Sequence, residues 1–252
     1  MTGRIDVKRG KTECINCALR SRDCFREFTP KELDFVSTFK TGELAVDRGA
    51  TILVEGAHSA HLFTVLDGVA FRHKILADGR RQILNYVVPG DLIGLQGSLM
   101  GEMQHTVEAL TDVRLCVFER SRIPSLFSSH PNLAYDITWI AAQEERILDE
   151  HLLSVGRRTA LERAAYLLVF LDHRGRQTGM AERANEFRIP VTQQHFADTL
   201  GLSLVHTNKT LRKLARRQLI RWTDQGCIVT DRDSLETIAG WTPEDTRQRP
   251  FV

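Results

Sequence analysis

The most regular pattern in the chain lies in residues 131–158. Leu133, Ile137, Ile140, Ala141, Ile147, Leu148, Leu152 and Val155 recur there at steps of three and four, with one longer gap at Glu144. That spacing predicts an unbroken helix with one apolar stripe, capped by Asn132 after Pro131 and ending near Gly156. At about 1.5 Å per residue it spans roughly 35 Å. So long a helix with so narrow a stripe reads as a seam between two copies of the chain. The expected dimer interface is Ile137, Ile140, Ala141, Glu144, Ile147, Leu148, Leu152 and Val155.

Upstream the pattern shortens. Residues 1–13 read as mobile, and 30–39 have the spacing of a short helix. Segments 44–46, 51–54, 62–66, 70–75, 82–88 and 114–118 are brief and rich in strand formers. Turn residues separate them, among them Asp67 and Gly68, Asp78 and Gly79, and Pro89, Gly90 and Asp91. Short strands at such intervals predict an antiparallel sandwich or roll, able to enclose a small ligand.

Downstream the helical period returns. Residues 159–172 predict a helix with Leu161, Ala164, Ala165, Leu168 and Leu171 inward, and 173–186 a polar loop. Thr192 can cap a helix through Leu200, Gly201 supplies a tight turn, and Ser203 can cap a second helix from Leu204 to about Arg217. Ala197, Gly201 and Thr207 take the small, turn and packing positions of a helix-turn-helix. Leu211 and Leu214 anchor its second helix. Residues 220–230 read as a wing hairpin with Trp222 packed in it, and 232–252 as a short helix and a frayed tail. The expected class is α+β, in four parts: an arm at 1–30, a β-roll at 31–130, a dimerisation helix at 131–158 and a winged helix-turn-helix at 159–252.

With 252 residues, 42% apolar and 26% charged, the chain has the composition of an ordinary soluble protein. It has no run of 18 apolar residues, and its first residues are polar without a signal-like apolar stretch. A cytoplasmic protein with no membrane partner is expected. The net charge of +2 conceals an asymmetry: from residue 156 onward there are 16 Lys/Arg against 11 Asp/Glu. That end is where a polyanion would bind. A Gly-rich phosphate loop, a nucleophile elbow and a His-Glu metal motif are all missing, so an enzyme is not expected. His58, His61, His73 and His105 are scattered through the roll.

Between Leu204 and Trp222 stand Lys209, Arg212, Lys213, Arg216, Arg217 and Arg221, with no acidic residue. A recognition helix turns its N-terminal residues toward base edges in the major groove of double-stranded DNA. Val205, His206, Asn208 and Lys209 are expected there: Asn to pair with adenine, Lys to donate to guanine, Val to meet a thymine methyl. Arg212, Lys213 and Arg216 are expected at phosphates, with Thr192 and Ser203 adding contacts at helix starts.

This order of roll, GDLIG at 90–94, long helix and basic helix-turn-helix resembles the cyclic-AMP-receptor/fumarate–nitrate-reduction (Crp/Fnr) family of bacterial transcription regulators, over about residues 14–240. The resemblance implies a homodimer on a two-fold-symmetric operator, working with RNA polymerase. The family holds cyclic nucleotide with a Glu on the ribose and an Arg followed by Ser or Thr on the phosphate. Those positions carry Leu95, and His105 followed by Thr106. Leu accepts no hydrogen bond, and a mostly neutral His is a poor phosphate clamp, so cyclic nucleotide is not expected. The oxygen-sensing branch reads DNA with Glu, Ser and Arg where this chain has Val205, Asn208 and Lys209. A related site with altered inner bases is expected.

Three of the five cysteines, Cys14, Cys17 and Cys24, fall within eleven residues. An odd count in a cytosolic chain argues against a disulfide scaffold. Cys116 could add a fourth thiolate from a roll strand, and four thiolates suit an iron–sulfur cluster. Arg20, Arg22 and Arg26 would offset its negative charge. The oxygen-sensing branch has this layout, which implies dimerisation and DNA affinity controlled by an oxygen- or nitric-oxide-labile [4Fe-4S] cluster. By ligand count a structural Zn²⁺ is equally served. A thiol switch, or a cluster-free regulator with Cys116 as a small core residue, stays open. Glu144, Glu145, Asp149 and Glu150 would oppose a parallel pairing of two helices, or form a solvated face. Cys227 reads as structural.

Overall fold

The computed structural model describes residues 5–6, 12–180, 187–242 and 248–252. Most of the segment expected to be mobile, and the second half of the expected loop at 173–186, lie outside the described residues.

A short strand β1 (Ile5–Asp6) and a 3-10 turn (Cys14–Asn16) precede helix α1 (Pro30–Phe39). Thr29 and Glu32 close a capping box on α1, with Pro30 at its first position. Strands β2 (Lys40–Val46), β3 (Thr51–Leu53), β4 (His61–Asp67), β5 (Ala70–Ile75), β6 (Arg81–Val87) and β7 (Leu92–Ile93) follow. Helix α2 (Leu95–Met100), strands β8 (Thr106–Ala109) and β9 (Val113–Glu119) and helix α3 (Ile123–Ser129) complete the roll. Its sheets run β1-β2-β9-β4-β7 and β3-β8-β5-β6.

The long helix α4 (Pro131–Arg157) is one unbroken element of 27 residues. It starts at Pro131, not after a cap at Asn132. It runs through Gly156, which does not adopt a positive φ and so does not stop it. Beyond it lie α5 (Ala160–Gln177), β10 (Arg188–Ile189), α6 (Gln193–Leu200), α7 (Leu204–Arg216), β11 (Ile220–Thr223), β12 (Gly226–Val229) and α8 (Arg232–Ala239). The strands pair β10-β12-β11. Helix α5 runs five residues past the expected end at Asp172. Its last turns carry a buried carboxylate instead of an apolar stripe: Asp172 meets Arg176 at 2.7 Å and Arg232 at 3.5 Å.

The chain divides into two compact units. One is Met1–Lys74, Val87–Glu145 and Arg247–Val252; the other is Ile75–Tyr86 and Arg146–Thr246. The break between the two units falls inside α4, after Glu145, and not at 130 or 158, the expected limits of the dimerisation helix. The β5–β6 hairpin tip groups with the second unit and the final residues with the first. In the first unit one core joins Leu19, Phe25 and Phe28 of the arm to Phe39, Phe118, Leu133 and Ile137. A second fills the roll with Val46, Val65, Val107 and Leu115.

Candidate functional site

The arm from Cys14 to Phe25 is a succession of tight turns. The N–H of Cys17 donates to the Cys14 carbonyl at 3.3 Å, and that of Arg20 to the Cys17 carbonyl at 3.1 Å. Cys116 lies in β9, the central strand of its sheet, in register with Glu43 of β2 and Thr64 of β4. Turns and register bring Cys14, Cys17 and Cys116 to one small cavity of about 20 Å³, also bordered by Arg20, Phe28, Thr64, Phe251 and Val252. Cys24 packs on the same core without lining the cavity. All four thiols are free.

Burial drives the Cys116 thiol up to about 12; Lys40 opposes this, and Cys14 and Cys17 add to it. Burial also raises Cys24, against the opposing charges of Arg249 and Arg22. Lys40 is held 2.7 Å from Glu43 in a buried pair. Arg20 Nε and Arg22 Nη1 are buried without a hydrogen-bond acceptor among the described residues. Donors of that kind welcome an anion. Arg20 still donates through Nη1 to the Ile15 carbonyl at 2.8 Å, so each guanidinium has one buried N–H to spare, and soft thiols beside such donors fit an anionic thiolate-ligated group. Among the described residues, no three His, Cys, Asp or Glu side chains converge on a point where a single metal ion could sit.

The nucleotide positions of the roll do not come together as a clamp. Leu95 packs against the apolar core, and His105 is buried. Burial first, then the charges of Arg72, Lys74 and His73, lower His105 to about 3, so it carries no charge for a phosphate. Arg72 instead pairs with Glu144 at 2.7 Å.

Glu144, one of the residues expected at the dimer seam, is engaged within its own chain by that pair. Ile137 and Ile140 are buried in the arm-and-roll core, and Ile147 is buried as well. A straight helix has 3.6 residues per turn, so a stripe in strict register over seven turns drifts off a single face. Leu148 is half-buried, while Ala141, Leu152 and Val155 remain exposed.

In the second unit, the Thr192 hydroxyl accepts the His195 N–H at 3.2 Å, and Ser203 Oγ accepts the His206 N–H at 3.2 Å. The left-handed Gly201 (φ 64°) turns the chain between α6 and α7. Both hydroxyls expected at phosphates thus serve first as helix caps. Thr207, Leu211 and Leu214 face inward, while Val205, His206, Lys209, Arg212, Lys213 and Arg216 stand exposed along α7. Asn208 is half-buried, its Oδ1 without a hydrogen-bond partner among the described residues. Trp222 meets Phe196 edge-on at 5.8 Å, and Cys227 is buried in the wing.

Sequence reasoning missed the hairpin tip. Arg81 pairs with Asp198 of α6 at 2.8 Å, Gln82 donates to the Thr199 carbonyl at 3.0 Å, and the Tyr86 hydroxyl meets Thr199 Oγ1 at 2.8 Å. The only local signal was a turn at Asp78 and Gly79, which says nothing of what the tip touches.

Residues 43–130 match the cyclic nucleotide-binding domain, and residues 162–238 the Crp-like helix-turn-helix domain. The nitrogen fixation regulation protein FixK of Bradyrhizobium diazoefficiens is 28% identical over 227 residues, 90% of this chain and 93% of the relative. FixK of Rhizobium meliloti is 30% identical over 193 residues, 77% and 81% of the two chains. The transcriptional activator protein FnrL of Cereibacter sphaeroides is 27% identical over 230 residues, 90% and 92%. Among solved structures, FixK2 from Bradyrhizobium japonicum superposes with a TM-score of 0.70 at 25% identity, covering 80% of this chain and 98% of that one.

Proposed function

The chain belongs to the Crp/Fnr family of DNA-binding transcription regulators, and from that premise we propose that it is a homodimeric regulator whose DNA affinity answers to an iron–sulfur group held by Cys14, Cys17, Cys24 and Cys116. The relatives divide by name between nitrogen-fixation regulators and Fnr-type activators, so family alone does not choose the sensor. The observation that carries the choice is the meeting of Cys14 and Cys17 with Cys116, about a hundred residues away in sequence, on one cavity. Thiols spread around a cavity suit a polynuclear group better than one zinc ion. When bound, a [4Fe-4S] cluster supplies chemistry sensitive to oxygen and nitric oxide.

The chain's own residues link such a site to the helix that pairs two copies. Arg26, two residues after Cys24, binds Asp136 of α4, while the β9 strand of Cys116 lies in the same core as Leu133 and Ile137. Order in the arm therefore bears on the first turns of α4. The exposed stretch of α4 forms the dimer seam. Helix α7 reads bases with Val205, His206, Asn208 and Lys209, while Arg212, Lys213 and Arg216 meet phosphates. Among the described residues, no helix is long and apolar enough to cross a membrane.

A second reading, thiols without a cluster, draws on the high Cys116 value and on Phe251 and Val252 closing the wall of a small cavity. Isolation without air decides between them. Four irons and four sulfides per chain, with absorbance near 400 nm that bleaches in air, are expected for the cluster. Iron-free protein, prepared without air, that binds its operator at full strength would end the cluster reading.

A further inference from the structure

The described end of the chain does not fray. Residues 248–252 lie along the cysteine arm. The Arg249 N–H donates to the Cys24 carbonyl at 2.8 Å, and the Arg26 N–H to the Arg249 carbonyl at 3.0 Å, which makes a parallel bridge beside Phe25. Gln248 Nε2 donates to the Asp23 carbonyl at 3.0 Å. The Arg249 guanidinium sits 2.6 Å from Asp91, with both side chains nearly buried, and lies over the Phe25 ring. Phe251 packs between Phe25 and Phe28, its ring centre 5.0 and 4.7 Å from theirs. The Val252 carbonyl accepts the hydroxyl of Thr64, which neighbours Cys116 in register.

The turn at Pro89, Gly90 and Asp91 is shaped for this arrangement. Gly90 has φ 87°, and a Cβ there would come within 2.2 Å of the Phe25 ring. The same turn presents Asp91 to Arg249, and its own backbone is braced by the Val88 N–H on Asp91 at 2.9 Å. Ordering residues 248–252 costs conformational entropy. Here that cost is offset by two apolar side chains, 4% and 3% exposed, and by an ion pair shielded from water. Phe251 and Val252 also form part of the wall around Cys14, Cys17 and Cys116.

We propose that residues 248–252 are a built-in cover of the cysteine cavity, which sets how fast small reagents and oxidants reach Cys116 and keeps arm and cover ordered together. In sequence the cover follows α8 of the DNA-reading module, so the cavity is joined covalently to that module by a second route besides α4. What the cover implies for oxidants rests on the cofactor reading above; the cover itself does not.

The test uses full-length protein, reduced and stripped of iron under argon, labelled with N-ethylmaleimide, with the rate at each cysteine followed by mass spectrometry. The double variant Arg249→Ala/Phe251→Ala is expected to label Cys116 about tenfold faster or more, since it removes one partner of a buried ion pair and a buried ring. Cys227, buried in the wing, should keep its slow rate and so report that the rest of the chain is folded. An unchanged Cys116 rate overturns the proposal. So does a Cys116 that already labels in the parent protein as fast as in denaturant. If Cys227 accelerates too, Arg249→Gln, which breaks only the ion pair, is judged by the same criterion. Iron and sulfide content is measured separately, so a covered cavity without a cluster and a cluster without a cover are distinct results.

Discussion

Arg26 Nε lies 3.1 and 2.9 Å from the two carboxylate oxygens of Asp136, which fastens the cysteine arm to the first turns of α4. The same guanidinium reaches Glu32 of α1 at 3.1 and 3.2 Å. Burial pushes the Asp136 carboxyl above its usual value despite Arg26. Burial also works on Glu32, but its hydrogen bonds from Arg26 and Thr29 win and hold it below the usual value. Arg26→Ala leaves two carboxylates in one place without their cation. A loss of about 2 kcal/mol is expected, or roughly 4–8 °C in Tm. Asp136→Asn should cost less, because burial already works against that charge. Thermal unfolding of both variants checks the order, and equal losses would refute this account of the cluster.

The buried His105 makes stability depend on pH. Its folded value of about 3 lies far below the ordinary 6.5, through burial first and then Arg72, Lys74 and His73. Between those two values the unfolded chain binds a proton that the folded chain refuses. Stability from this residue is therefore complete above pH 6.5 and is lost as pH falls below it, with a slope approaching about 1.4 kcal/mol per pH unit. His105→Gln should flatten urea-unfolding free energies between pH 6.5 and 5. A variant whose slope matches the parent's rejects a neutral His105.

What could be read from the sequence follows from the range of the signals. The helical spacing of residues 30–39 and the caps and turn at Thr192, Ser203 and Gly201 act within one or two turns, so α1, α6 and α7 were legible to within a residue or two. The strand segments were legible because strand-forming residues and the turns that bound them are local signals as well. The drift of Ile137, Ile140 and Ile147 into the chain's own core was not, since a period cannot say which neighbour an apolar stripe will meet. The docking of residues 248–252 was not legible either: a five-residue end with one Pro reads as a tail until Phe25, Asp91 and Thr64 are brought to it from far away. The cysteines were legible by type and spacing, but that Cys24 stands outside the cavity depends on the turns between it and Cys17.

The exposed face of α4 points to a different seam from the apolar stripe. Tyr135 and Leu152 are 70% and 73% exposed, and Thr138, Ala142, Glu145, Asp149 and Gly156 are exposed with them. Positions 135, 138, 142, 145, 149, 152 and 156 alternate in steps of three and four, the spacing of a coiled-coil seam. If two copies pair in parallel along it, Glu145 and Asp149 approach their own images and weaken the dimer. Glu145→Leu should remove that repulsion and bury a side chain, tightening self-association about tenfold. Sedimentation in air at a concentration where the parent is mostly monomeric checks this, and an unchanged distribution counts against the seam.

Helix α7 divides its work between specificity and position. Asn208 is half-buried beside the exposed Lys209 in the first turns of the helix, while Arg212, Lys213 and Arg216 lie further along it. A carboxamide can accept from adenine N6 and donate to N7, so Asn208→Ala should cost about 1–3 kcal/mol at one base pair and relax the preference there. Arg212→Ala should weaken every sequence alike and lower the slope of log affinity against log salt by about 0.9, the share of a single neutralised phosphate. Competition binding over a set of single-base operator changes, repeated at several salt concentrations, separates the two effects. An Asn208 variant that loses affinity evenly across the set would place that side chain on the backbone, and the base-reading surface would then have to move toward Val205 and His206.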